Sequence, residues 1–374
     1  MYPYTEENTV QKQFQPKPID PQNPFDNPME NRKYHTGYQR ILPQVLLPGY
    51  EIPLYPEQGE RRGIRKCMNA AGLGALCFSV ISQLLVSILL SLIVVSLGGN
   101  RSEGMAYLES SSIQYALMLL VFSTLNITIA IVGCRLMRTP VRDLFQTEGL
   151  SLPLTLRYAV IGIGLQFLAG TLWQLLQQLF SIDQVNVSVD MITSAIGAKS
   201  IVAMILYACI IGPIGEEMLF RGFIMKTLSR VSTRFAIIVS ALLFGFMHGN
   251  FQQAILAFLL GLFLGKIDQR HNSLVPSIIV HIVINTNATI LTLPEMVLPE
   301  NIATVISSIL SLGYIMLAIV GIVFWFWKER KQPLPYPTQK QAIRSRLIWT
   351  SPLLLAAFAV MILLTIVNEV SLRA

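Results

Sequence analysis

Charge is what this chain has least of. Of 374 residues only 13% are Asp, Glu, Lys or Arg, against 53% hydrophobic, and the mean hydropathy is +0.55. A soluble domain averages about 25% charged residues. A soluble globular fold is therefore excluded, and the chain reads as an all-α, polytopic membrane protein with about nine apolar helical segments. Cysteine is scarce as well: Cys67, Cys77, Cys134 and Cys209 show no CxxC spacing and sit in or beside apolar runs. That excludes a disulfide framework and a zinc knuckle and leaves them as buried small hydrophobes. No HExxH helix is present, so the common zinc-protease pattern is missing. Neither a clear internal repeat nor a matched pair of broken segments supports a transporter with a midplane acidic site.

The apolar runs fall at roughly 70–98, 113–134, 158–180, 200–228, 234–248, 251–267, 273–293, 304–327 and 347–367, and a spanning helix needs about 20 residues. The fifth and sixth are short and separated only by Gly249-Asn250. They read as a helical hairpin that turns within the membrane, which is tolerated where the turn is buried in protein or lines a wet cavity. Residues 1–66 are a Pro-, Gln- and Asn-rich tail with a basic juxtamembrane cluster, Arg61-Arg62-Gly-Ile-Arg65-Lys66. Such a tail buries too little apolar surface to offset its ordering entropy and reads as disordered. The remaining expected units are two N-terminal spans over 67–149, a membrane core over 150–293, and two C-terminal spans over 294–374 with a basic loop between them.

Lys and Arg crowd alternate connections: Arg135, Arg138, Arg142 and Arg157, then Lys226, Arg230 and Arg234, then Lys266 and Arg270, then Lys328 to Arg346. The other connections hold only Arg101, Lys199 and Arg373. This bias places the N-terminus in the cytoplasm and the C-terminus outside a cell membrane. It also accounts for the net charge of +7, so nucleic acid is not implied; the expected surroundings are membrane lipids.

Against this background Glu216, Glu217 and Arg221 stand out, because a charge at bilayer depth costs at least a few kcal/mol and usually marks a site with a partner nearby. At 1.5 Å rise per residue, Glu216 lies about 18 Å deep, Glu217 about 16 Å, His248 about 21 Å, His281 about 15 Å and Asn285 about 21 Å. Polar residues from three separate runs thus share one layer near the midplane. Glu217 and Arg221 are four apart and pair on one helix face, while Glu216 is rotated away and left for chemistry. His281 and Asn285 also share a face, and Phe244 lies one turn from His248. Gly212, Pro213 and Gly215 permit a kink and a close helix approach.

Two schemes fit these residue types. In one, Glu216 acts as general base on a water that His248 orients, while His281 and Asn285 donate to an oxyanion. In the other, Glu216, His248 and His281 hold Zn²⁺ with an open water position. Both hydrolyse a peptide bond inside the membrane. The bland alternatives are an ion pair that merely carries charge through lipid and His or Asn acting as interhelical glue.

Glu216-Glu217-Met-Leu-Phe-Arg221, Phe244-Gly-Phe-Met-His248 and His281-Ile-Val-Ile-Asn285 resemble the EExxxR, FxxxH and HxxxN motifs of the CAAX prenyl protease and bacteriocin-processing family, the type II CAAX endopeptidases, in the family's order. The resemblance covers roughly residues 150–293. It implies a helical intramembrane protease fold enclosing a cavity, with Glu216 and His248 activating water, His281 and Asn285 stabilising the oxyanion, and Glu217 and Arg221 supporting. The expected substrate is a hydrophobic or membrane-anchored peptide or protein. A non-catalytic membrane regulator, immunity or cell-envelope protein on the same fold is the alternative, since fold does not fix function.

Overall fold

The computed structural model describes residues 56–96, 113–147, 150–180, 201–329 and 346–373, and most of the polar tail lies outside them. Among the described residues every regular element is helical. In chain order the helices are α1 (Pro56–Ser96), α2 (Ile113–Leu136), α3 (Leu152–Phe180), α4 (201–229), α5 (Thr233–Met247), α6 (Phe251–His271), α7 (Leu274–Val297), α8 (Glu300–Glu329) and α9 (Pro352–Arg373). One 3₁₀ turn follows α2 at Val141–Phe145 and another precedes α9 at Arg346–Thr350. Eight of the helices are long and apolar enough to cross a membrane, and α5 is a shorter apolar helix. The protein is an all-α, multi-pass membrane protein.

α1 starts well before the first apolar run. Proline fits a first helical turn, where its missing N–H has no intrahelical role. The basic cluster Arg61–Lys66, read from the sequence as part of the tail, is thereby carried on the polar first third of a 41-residue helix. At the other end of the chain, the apolar side chains of α8 face outward: Val305, Ile309, Leu312, Met316, Ile319 and Val323 are all exposed. Such a surface is stable only against lipid or a partner.

The interior divides into two apolar clusters. The larger gathers α1, α2, α4, α5 and α9 around residues such as Met68, Cys134, Phe220, Leu243 and Leu354. The smaller joins α3, α6 and α7 through Tyr158, Phe263, Leu264 and Ile284. α6 and α7 contribute to both, Ala257 and Leu274 to the first and Leu260 and Val280 to the second. The polar site lies along this seam.

The α5–α6 hairpin forms as the sequence indicates. Gly249 takes φ +72°, a left-handed value that other residues adopt only with strain. Asn250 caps α6, its side chain accepting from Gln253 N at 2.8 Å. With 15 residues, α5 rises about 22 Å, short of a hydrocarbon core of about 30 Å.

Two basic residues expected in an aqueous connection are buried instead. Lys226 pairs with Asp268 at 3.6 Å and donates to Asn272 Oδ1 at 2.9 Å. Arg230 donates to Met137 O at 2.7 Å and Thr139 Oγ1 at 3.1 Å. The last turn of α4 tucks beneath the bend after α2, so these charges meet protein carbonyls and a carboxylate where sequence polarity alone implied water. His271, at the end of α6, is half-buried against Tyr158, with 3.2 Å between the phenol oxygen and Nε2.

Candidate active site

α4 is not a uniform α-helix. It widens into π-turns at Leu206–Ile211 and again at Met218–Met225, and the α-helical stretch Gly212–Glu217 between them carries both glutamates. Pro213 explains the first widening. It has no N–H, so regular i→i−4 bonding fails there, and the N–H of Gly212 goes to Tyr207 O, five residues back. Only glycine fits this crossing, since a Cβ on residue 212 would stand 2.5 Å from Tyr207 O. Single-turn π segments of this kind occur often at functional sites.

The detour leaves the carbonyl of Ala208 without its usual donor. Gly212 points to Tyr207, and Pro213 has nothing to donate. Asn285 Nδ2, reaching across from α7, supplies the hydrogen bond at 2.8 Å. One N–H of this amide is therefore committed to the backbone of α4, an anchoring role the sequence did not reveal. A signal existed: a proline in a helix orphans a carbonyl, which wants a side-chain donor from a neighbour. One turn on, Cys209 Sγ and Thr289 Oγ1 lie 3.4 Å apart and tie the same two helices.

The two glutamates have separate surroundings, as their rotation on the helix implies. Glu217 is fully buried and pairs with the equally buried Arg221 at 3.1 Å. The Arg221 guanidinium also stacks over the Phe244 ring, 4.2 Å from its centroid. Glu216 stands apart from this pair, and its side chain keeps 16% exposure where Glu217 has none. His281 lies between them. Its Nδ1 is 3.0 Å from Glu217 Oε1, and its Nε2 is 3.7 Å from Glu216 Oε2. A carboxylate paired with arginine accepts, so Nδ1 donates to Glu217 and Nε2 faces Glu216. The gap at Nε2 is too long for a direct hydrogen bond.

His248 closes α5. Its Nδ1 lies 2.9 Å from the Phe244 carbonyl. Because a carbonyl only accepts, that nitrogen carries the proton and the neutral ring presents Nε2 as an acceptor. Glu216 and His281 are both within electrostatic reach of the ring. Phe244 holds the cluster together. Its ring meets His248 at 5.0 Å and His281 at 5.8 Å, both near-perpendicular, and Phe220 at 5.3 Å with an interplanar angle of 64°. The structure thus gathers Glu216, Glu217, Arg221, Phe244, His248, His281 and Asn285 from α4, α5 and α7 into one region.

A zinc site does not emerge from the same residues. Among the described residues no group of three or more His, Cys, Asp or Glu side chains converges to hold a metal ion, and Glu216, His248 and His281 form no such set.

Fold and site together define a polytopic helical membrane protein with a carboxylate–imidazole–amide cluster on three neighbouring helices. Residues 198–287 match the family model described as type II CAAX prenyl endopeptidase Rce1-like, which agrees with the CAAX prenyl protease and bacteriocin-processing family that the motifs resemble. All seven residues above lie within the match, which spans about a quarter of the chain. The match supports an endopeptidase activity in general. No curated protein and no solved structure matches the chain.

Proposed function

We propose that this protein is an intramembrane endopeptidase that hydrolyses peptide bonds of hydrophobic or membrane-anchored substrates with a glutamate-activated water. The observation that carries the reading is the placement of Glu216. It is the one carboxylate of the cluster outside the ion pair with Arg221, it retains some exposure, and it faces His281 Nε2 across 3.7 Å.

Glu216 takes a proton from a water as that water attacks the scissile carbonyl. His248, with Nε2 set as acceptor by its bond to Phe244 O, orients the water. Attack places negative charge on the carbonyl oxygen. His281 donates to it from Nε2 when doubly protonated, since Nδ1 is already engaged with Glu217. Asn285 donates with its second N–H, the first being held by Ala208 O. Preorganised donors of this kind are worth about 2.7–4 kcal/mol each when removed singly. Glu217 and Arg221 hold the His281 ring in place. The proton on Glu216 then passes to the leaving amine. The proposed catalytic unit is the membrane core 150–293, with the flanking helices as its frame, the N-terminus in the cytoplasm and the C-terminus outside.

The test uses purified protein in liposomes against a panel of hydrophobic and prenylated peptides, comparing wild type with Glu216→Ala and His248→Ala, with and without chelator. Cleavage by wild type that resists chelation and falls at least a thousandfold in both variants is the expected result. Cleavage persisting in both variants would sink the assignment. Loss on chelation with recovery by zinc would replace the mechanism with the metal scheme. No cleavage of any peptide would favour the non-catalytic reading.

A further inference from the structure

Glu369 lies outside every motif and outside the matched segment, and the ninth apolar run, read as ending near residue 367, stops short of it. Yet it reaches the turn that carries His248. α5 ends at Met247, His248 follows, Gly249 turns with positive φ, and α6 starts at Phe251. The first N–H groups of a helix have no intrahelical partner. Asn250 takes that of Gln253, and Glu369 Oε2 accepts from Phe251 N at 3.1 Å. On the other side of His248, the buried Thr365 places its hydroxyl 3.2 Å from Phe246 O and 2.9 Å from Met361 O, dividing one proton between them. Asn368 completes the contact. A Cβ on Gly249 would meet its Nδ2 at 2.8 Å, so α9 packs directly on the glycine.

Glu369 lies about 25 Å along α9 from Pro352, at the end of the helix that meets the α5–α6 turn, and the positive end of α6 gives its carboxylate a partner. The backbone on both sides of His248 is thus tied to a helix distant in sequence from the motif core.

We propose that Glu369 and Thr365 are positioning residues for His248, so that α9 belongs to the active unit. The proposal rests on the reading of His248 as the group that orients the attacking water. Full-length protein in lipid nanodiscs is compared as wild type, Glu369→Ala, Glu369→Gln and Thr365→Val by amide hydrogen exchange over residues 244–254 and by the ring ¹⁵N signals of its four histidines. Glu369→Ala speeds exchange at the Phe251 amide about tenfold or more and shifts the His248 ring signals while those of His271 stay put. Glu369→Gln, which keeps an acceptor oxygen, restores most of both. On a hydrophobic peptide that wild type cleaves, Glu369→Ala lowers kcat about tenfold with KM changed less than twofold. Unchanged His248 signals and exchange in Glu369→Ala and Thr365→Val would overturn the proposal. Should Glu369→Ala fail to fold, Thr365→Val and Glu369→Gln carry the same comparison. If wild type cleaves nothing, the protease reading fails while the spectroscopic arm still decides whether α9 positions His248.

Discussion

Glu216 and Glu217 are adjacent in sequence and opposite in circumstance, and their stability costs should separate accordingly. Removing one partner of a buried ion pair leaves the other charge uncompensated, at about 3–5 kcal/mol. Glu217→Gln strands Arg221 in this way and should lower unfolding stability in mild detergent by about that amount. Glu216→Gln, partly exposed and outside the pair, should cost less than about 1 kcal/mol while abolishing cleavage. Equal destabilisation by the two would show that their roles are not divided. Much of this was legible beforehand. The i,i+4 spacing of Glu217 and Arg221, the rotation of Glu216 and the shared depth of His248 and His281 all follow from helix geometry. The reach of His281 to both glutamates was not legible, because it depends on how α7 sits against α4, which no spacing within either helix encodes.

Between residue and bundle lies the shape of α4. Pro213 removes a donor, the turn before it widens, and Asn285 fills the gap at Ala208. These are links in one chain of cause, so their substitutions should couple. Asn285→Ala leaves the Ala208 carbonyl unpaired, at about 1–3 kcal/mol. Pro213→Ala supplies a backbone N–H that can serve α4 itself, so Asn285→Ala should cost less in that background. A double-mutant cycle in unfolding stability should show a coupling of at least about 0.5 kcal/mol, and additivity would refute the link. Gly212→Ala should destabilise by about 1–3 kcal/mol through its clash with Tyr207 O. The sequence marks Gly212 and Pro213 as a kink but does not reveal the π-turns. Hydrophobic patterning cannot separate π from α bonding when nearly every side chain in the segment is apolar. The burial of Lys226 and Arg230 was missed for a related reason. Charge near a helix end reads as water-facing until the neighbouring turn, here the bend after α2, is known to cover it.

At the scale of the whole molecule, the direction of the chain follows from parity. α5 and α6 form a hairpin, so together they return the chain to the side on which α4 ended, whether or not their turn pierces the far face. Seven crossings remain, in α1–α4 and α7–α9, and an odd number puts the two ends of the chain on opposite sides. In the orientation we propose from the Lys and Arg bias, the N-terminal end is cytoplasmic. A thiol probe can test this against a low background, because Cys67, Cys134 and Cys209 are buried and Cys77 is partly so. A cysteine appended after Ala374 should react with an impermeant maleimide in intact cells, whereas Arg346→Cys should react only after the membrane is permeabilised. Reaction of both in intact cells, or of neither, would break the parity. Reversal of the pair would keep the fold and invert it, placing the Lys226–Asp268 end outside. The odd count would survive that result and the charge argument would not, which makes the two halves of the topology separable in a single experiment.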